Sequence, residues 1–98
     1  MAFEIVWSKR AIKGYDKIID YLEEHWTERE LINFVTGTDE FFRTLSAHPE
    51  ILQKTNRNKN LYRGPINRLT ILTYRIDSRK NQIVLVNIRG ARQKPLKG

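Results

Sequence analysis

The sequence predicts an α+β domain in the order β-α-α-β-β-β, with a helical hairpin packed on one face of a small, antiparallel-rich sheet. Three observations carry that prediction. Residues 8–48 hold two runs of apolar side chains at three- and four-residue steps, the spacing of one helix face. Residues 61–89 hold three runs rich in β-branched and aromatic side chains, bounded by turn-forming residues. Helices and strands of this kind each leave an apolar face, and laying the hairpin on the sheet covers both at once.

Phe3-Glu4-Ile5-Val6-Trp7 alternates and reads as the first strand. Ser8 is placed as an N-cap, since its hydroxyl can accept from a free amide of the next turn. The helix that follows presents Ala11, Ile12, Tyr15, Ile19, Leu22 and Trp26 on one face. Gly14 weakens that helix by about 1 kcal/mol relative to alanine, and another backbone is expected to come close there. "TERE" is a capping box in which Thr27 caps and Glu30 reaches back. A second helix carries Leu31, Phe34, Val35, Thr38, Phe41, Phe42 and Leu45 on its apolar face, with Gly37 as a mild flaw. His48-Pro49 closes it, because the residue before proline is pushed out of helical geometry. With so short a connection the two helices should run antiparallel.

Residues 50–60, "EILQKTNRNKN", read as a polar, basic loop. "LYRGPI" is a short strand expected to break at Gly64-Pro65. "RLTILTYRI" is a strong strand, "DSRKNQ" a turn and "IVLVNIR" the last strand. Uniform alternation assigns Leu72, Tyr74, Ile76, Val84, Val86 and Ile88 to the core beneath the helices. The opposite face then carries Ile71, Thr73, Arg75, Leu85, Asn87 and Arg89, half apolar and half basic.

Composition bounds the function. The chain has 98 residues, 40% hydrophobic and 30% charged, which fits a single globular domain over 1–98. It has no cysteine, so disulfides, thiolate metal sites and cysteine nucleophiles are excluded. "MAFEIVWSKR" lacks the pattern of a signal peptide, no apolar run approaches the roughly 20 residues of a membrane span, and a cytoplasmic protein is expected. Charge is unevenly distributed. Residues 1–50 hold six Lys/Arg and ten Asp/Glu, a net −4, whereas residues 51–98 hold twelve Lys/Arg and one acid, Asp77, a net +11. A basic face built by the second half, aimed at nucleic acid or at an acidic protein segment, follows from that asymmetry.

No metal or cofactor site is expected. His25 and His48 have no ligand spacing, and Glu23, Glu24, Glu28 and Glu30 cluster at the turn between helices, where a solvated acidic corner is expected. Phosphate-cradling glycine loops, serine-nucleophile motifs and dinucleotide fingerprints are missing from the sequence. The basic candidates are Lys54, Arg57 and Lys59 in the loop, Arg63 and Arg75 in the sheet, and Arg89, Arg92 and Lys94 in "VNIRGARQKP". Guanidinium groups bind phosphate or carboxylate through a two-pronged fork, and a strand end holds such a fork in place. Tyr62, beside Arg63, and Asn87, beside Arg89 on the same mixed face, join them as candidate recognition residues.

Trp7 followed by "SKRA", a helical hairpin, "HPE", and then "YR…LTYRID…IVLVNIRGARQKP" resembles the RelE/ParE superfamily of toxins from bacterial type II toxin–antitoxin modules, which include plasmid stabilisation proteins. The resemblance covers nearly the whole chain and implies the same β-α-α-β-β-β fold. It implies a toxin neutralised by a cognate antitoxin, with Arg89, Arg92 and Lys94 at the toxic surface or the antitoxin contact. Tyr62, Arg63, Arg75 and Asn87 join them as candidate target- or antitoxin-binding residues from the basic, mixed face, and the basic second half of the chain leads us to expect that the antitoxin is acidic. RelE-like members cleave ribosome-bound mRNA without metal. At their paired lysine positions this chain has Tyr62 and Gly64, at their conserved sheet arginine it has Ile71, and neither Tyr nor His follows Arg92. ParE-like members lack that set and poison DNA gyrase by protein contact, so a gyrase inhibitor, not an enzyme, is the first expectation. The alternatives are a metal-independent endoribonuclease using Arg63, Arg75, Arg89 and Arg92, and a non-toxic basic nucleic-acid-binding module.

Overall fold

The computed structural model describes residues 2–56 and 60–91. Two helices pack on one face of a mixed five-stranded sheet. The elements are β1 (Glu4–Trp7), α1 (Lys9–His25), α2 (Glu28–Ala47), β2 (Gln53–Asn56), β3 (Leu61–Asn67), β4 (Thr70–Asp77) and β5 (Gln82–Gly90). The strand order is β1-β5-β4-β3-β2, with β1 parallel to β5 and every other pair antiparallel.

Both helix starts follow from their caps. The Ser8 hydroxyl accepts from the Ala11 amide at 3.0 Å. At α2 the Thr27 hydroxyl accepts from the Glu30 amide at 3.1 Å, and the Glu30 carboxylate accepts from the Thr27 amide at 3.0 Å. Each cap satisfies amides that have no partner inside the helix.

α1 buries Ala11, Ile18 and Leu22, with Tyr15, Ile19 and Trp26 half-buried beside them. Ile12, expected inward, is 45% exposed, and Ile18 takes its place, because the buried stripe runs along 11, 15, 18 and 22. In α2, Phe34, Thr38 and Leu45 are buried, and Val35, also expected inward, is 41% exposed. Phe41 and Phe42 share the edges of that stripe, each half-buried, and Phe42 meets Trp7 edge-on at 5.3 Å.

Among the described residues the sheet departs from regular register at three places, between Lys54 and Asn56 on β2, after Pro65 on β3 and at Val86 on β5. On β5, Leu85 pairs with Tyr74 and Asn87 pairs with Thr73, so Val86 is an extra residue. Ile83 and Leu85 therefore face the core before the bulge, and Ile88 after it. The expected inward positions Val84 and Val86 are only half-buried, and Leu85, expected on the open face, is fully buried. On β3, Gly64-Pro65 does not end the strand, which continues to Asn67 through the irregularity after Pro65. β2 pairs no further along β3 than Arg63, so at Pro65 β3 is the sheet edge and a missing N–H forfeits no ladder bond. β2 itself lies within the segment expected to be a loop, since "QKTN" has no apolar alternation to signal it.

Gly14 sets how closely α1 approaches the sheet. A Cβ at this position would lie 1.7 Å from the Ile88 carbonyl oxygen, so only glycine lets the helix backbone rest on β5. A Cβ at Gly37 meets nothing within 4 Å. The two glycines should respond oppositely to the same change. Gly14→Ala should destabilise by about 3 kcal/mol, at or beyond the usual cost of overpacking, because the obstacle is backbone. Gly37→Ala should stabilise by about 1 kcal/mol through helix propensity. Urea denaturation of both variants reads this directly, and equal shifts would refute the close approach.

Candidate functional site: the open face of the sheet

The face of the sheet turned away from the helices is built from alternate residues of β3, β4 and β5, and the register fixes which ones. Arg63 lies opposite Thr73, and Thr73 opposite Asn87. One row away, Leu61 lies opposite Arg75 and Arg75 opposite Val84; on the other side, Pro65 lies opposite Ile71 and Ile71 opposite Arg89. Three consecutive rows thus each contribute one arginine, from three different strands. Arg63 and Arg75 are exposed, Asn87 and Arg89 are half-buried, and Thr73 and Ile71 fill the spaces between them. Same-face diagonal neighbours stand about 7–8 Å apart, a distance two guanidinium groups can bridge to one anionic partner.

The electrostatics of this face are lopsided. Among the described residues the ion pair is Asp39–Arg43 at 3.2 Å, and Glu24 lies 3.8 Å from the His25 ring, both on the helical layer. No carboxylate among the described residues pairs with Arg63, Arg75 or Arg89. Asp77 sits at the far end of β4, where its carboxylate accepts from the Lys80 amide at 3.3 Å and so organises the β4–β5 turn. Asn81 completes that turn with φ of 54°. Glu4 is held there too, accepting from the Gln82 side-chain amide at 3.1 Å. The acids of the sheet gather at its turn end, one same-face row beyond Arg75, and Arg63 and Arg89 lie successively further from that end.

The sequence-predicted residues divide into three groups. Arg63, Arg75, Asn87 and Arg89 come together on the open face. Tyr62 does not join them: it lies on the helix side, 7% exposed, with its ring stacked on Tyr74 at 5.3 Å. Alternation on a strand separates it from its neighbour Arg63 by the thickness of the sheet. Lys54 is exposed on β2, in register with Tyr62 rather than with the arginines. Arg57, Lys59, Arg92 and Lys94 lie outside the described residues. Of the positions compared with RelE, Tyr62 and Gly64 share the helix side, while Ile71 is on the open face. Sequence reasoning did not single out Thr73 and Ser8 as supports of this face; a hydroxyl in a β-branched run and a helix cap give no functional signal of their own.

Tyr74 props the site from beneath. Its hydroxyl donates to the Pro49 carbonyl at 2.6 Å and accepts from the Leu52 amide at 3.4 Å, tying the link between α2 and β2 to the sheet. Burial pushes its ionisation up to about 12, against the help of the Leu52 amide and with small contributions from Tyr62 and Glu50. Burial also raises Tyr15, reinforced by Asp39 and Asp16.

Among the described residues no group of His, Asp or Glu is arranged to hold a metal ion, and no helix is long and apolar enough to cross a membrane.

A family model for the ParE toxin of the type II toxin–antitoxin system parDE matches residues 5–95. The chain belongs to the ParE toxin family. No curated protein matches the sequence significantly. Among solved structures this ParE-family chain is similar to the chromosomal ParDE TA system from P. aeruginosa, with a TM-score of 0.71 and 13% identity over 91% of this chain and 96% of that one. It is similar to the toxin–antitoxin complex RelBE2 from Mycobacterium tuberculosis, with a TM-score of 0.64 and 19% identity over 92% and 99% of the two chains. It is similar also to the intact E. coli RelBE toxin–antitoxin complex, with a TM-score of 0.61 and 13% identity over 94% and 100%. At these identities the likeness is one of fold, and it is the RelE/ParE fold that the sequence pattern implied.

The tyrosine geometry yields a pH dependence. An unfolded tyrosine ionises near 10, whereas folded Tyr74 ionises only near about 12, so in this window the folded state holds a proton that the unfolded state has lost. The contribution of Tyr74 to stability is fully present below pH 10 and is lost as pH rises towards 12. Tyr74→Phe should cost about 1 kcal/mol at pH 7, the worth of its hydrogen bonds, yet show a shallower alkaline decline. Tyr15, raised in the same direction, leaves a residual slope. Denaturation midpoints across that range test this, and parallel pH profiles for parent and variant would refute it.

Proposed function

We propose that this chain is the toxin of a type II toxin–antitoxin module, that it arrests growth by poisoning DNA gyrase through protein contact, and that the open face of the sheet is its working surface. The observation that carries the reading is the convergence of Arg63, Arg75 and Arg89 on one face, within a chain whose match to the ParE family model spans nearly its whole length. Arginines that no described carboxylate pairs, set among Thr73, Asn87 and Ile71, suit a partner that brings carboxylates or phosphates together with some apolar surface. A cognate acidic antitoxin, partly disordered until it binds, suits the same basic half of the chain, and the module would act in the cytoplasm.

A second reading is favoured by one specific observation. Arg63, Arg75 and Arg89, three of the four residues of a rearranged nuclease set, share a face on three successive rows of the sheet, a basic track that suits an RNA backbone. In that reading the chain is a metal-independent, ribosome-dependent endoribonuclease, with guanidinium groups stabilising charge at the scissile phosphate.

Induced expression without antitoxin separates the two. Gyrase poisoning should produce DNA breaks that a gyrase variant unable to bind the toxin abolishes, with ribosome-bound mRNA left intact. Cleaved mRNA with intact DNA would replace the first reading by the second. Arg75→Ala and Arg89→Ala should each lower toxicity at least tenfold, with melting little changed because neither side chain is in the core. Arg→Lys should restore only part of the activity, since an ammonium cannot form the two-pronged contact. Antitoxin association should be fast and should slow with added salt, and a rate independent of ionic strength would count against the basic face as its landing surface.

A further inference from the structure

The open face exists in its present form because β5 carries one extra residue. Ile83 and Leu85 point into the core, and uninterrupted alternation would send Asn87 and Arg89 after them. The bulge at Val86 reverses the parity, so that Ile88, 1% exposed, points inward while Asn87 and Arg89 point outward. What holds that bulge is Ser8. The last β1–β5 partners are Trp7 and Leu85, which places Ser8 beside Val86 in the parallel register. From there the Ser8 backbone N–H donates to the Leu85 carbonyl at 3.1 Å, and its hydroxyl donates to the Val86 carbonyl at 3.1 Å. The same hydroxyl oxygen accepts from the Ala11 amide at 3.0 Å.

We propose that Ser8 is a positioning residue: by clasping the two carbonyls at the Val86 bulge while capping α1, it turns Asn87 and Arg89 onto the open face of the sheet. A cap needs only an acceptor, and aspartate or asparagine serves as well as serine. This site needs a donor and an acceptor on one short side chain, because one partner is a carbonyl and the other an amide. Threonine can supply both. Aspartate keeps the cap but sets a carboxylate against the Val86 carbonyl, and alanine keeps neither. The consequence for toxicity rests on the reading that this face meets the target; the geometric claim does not.

The chain has no cysteine, so a single introduced thiol reports on one position without interference. Arg89→Cys and Ile88→Cys are made separately in the parent and in Ser8→Thr, Ser8→Ala and Ser8→Asp backgrounds, and their rates of modification by a charged thiol reagent are measured in the folded protein. In the parent and in Ser8→Thr the thiol at 89 should react much faster than the thiol at 88. In Ser8→Asp and Ser8→Ala the ratio should fall by about tenfold, the equivalent of one hydrogen bond lost from the bulge. A helix cap alone predicts that Ser8→Asp keeps the parent ratio, and that result would overturn the proposal. Global unfolding of Ser8→Asp, with both thiols fully reactive and helical signal lost, would overturn it as well, since Ser8 would then determine the fold rather than aim two side chains. A collapsed ratio with toxicity unchanged would leave the positioning role standing and remove Arg89 from the toxic surface.

Discussion

The architecture depends on how closely one helix lies on one strand. At Gly14 the backbone of α1 comes so near the Ile88 carbonyl that no side chain fits between them. That contact seats α1 along β5, which lies between β1 and β4. Ala11, Ile18 and Leu22 then reach the sheet on either side of the contact and close over Leu72, Tyr74, Ile83, Leu85 and Ile88. Close approach shortens every helix-to-sheet distance, and the dispersion and hydrophobic terms that hold a small core together depend steeply on those distances. α2 is tied to the chain just before β1 at its C-terminal end, where the Ser46 carbonyl accepts from the Phe3 amide and the Ser46 hydroxyl donates to the Phe3 carbonyl.

A sheet covered on one face must do something with the other. Here the helical layer takes most of the acids, and the uncovered face takes arginines that no described carboxylate neutralises. Holding like charges on neighbouring rows is unfavourable for the isolated domain, a cost tempered by exposure and salt. The same arrangement becomes favourable when an anionic partner arrives, and it makes approach from a distance faster than uncharged surfaces allow. Arg89 differs from Arg63 and Arg75 in being half-buried, and a partly buried side chain has less conformational freedom left to lose on binding.

Much of this was legible in the residues. The helix starts were written in Ser8 and in "TERE", because capping is a local exchange of hydrogen bonds that needs no tertiary context. Gly14 carried a partial signal, since glycine costs a helix interior stability and close backbone approach is one reason to keep it, though Gly37 shows the same residue in open space. The parity of β4 was also readable, and Leu72 and Tyr74 face inward as alternation requires. β2 was not readable, because an exposed edge strand has no apolar face to impose period two on its sequence. The parity of β5 was misread for a related reason. "IVLVNI" is apolar at nearly every position, so hydrophobicity cannot show which residue is the extra one. Tyr62 was misplaced because adjacency to Arg63 in the chain means opposition across the sheet.

The sequence by itself determined the order of the elements other than β2, the two helix caps, the β4 face, the asymmetry of charge and the resemblance to RelE/ParE toxins. These are properties of local periodicity, local hydrogen bonding and composition, and they survive in any arrangement of the chain. Only the tertiary structure decided that Arg63 joins Arg75 and Arg89 on one surface and that Tyr62 does not. The place of Arg89 on that surface, with Leu85 in the core, turns on a single unpaired residue in β5, beside a hydroxyl 78 positions away in the chain. Side chains on a strand have a period of two, so one inserted residue exchanges the faces of everything beyond it, and only the partner strands reveal where the insertion lies.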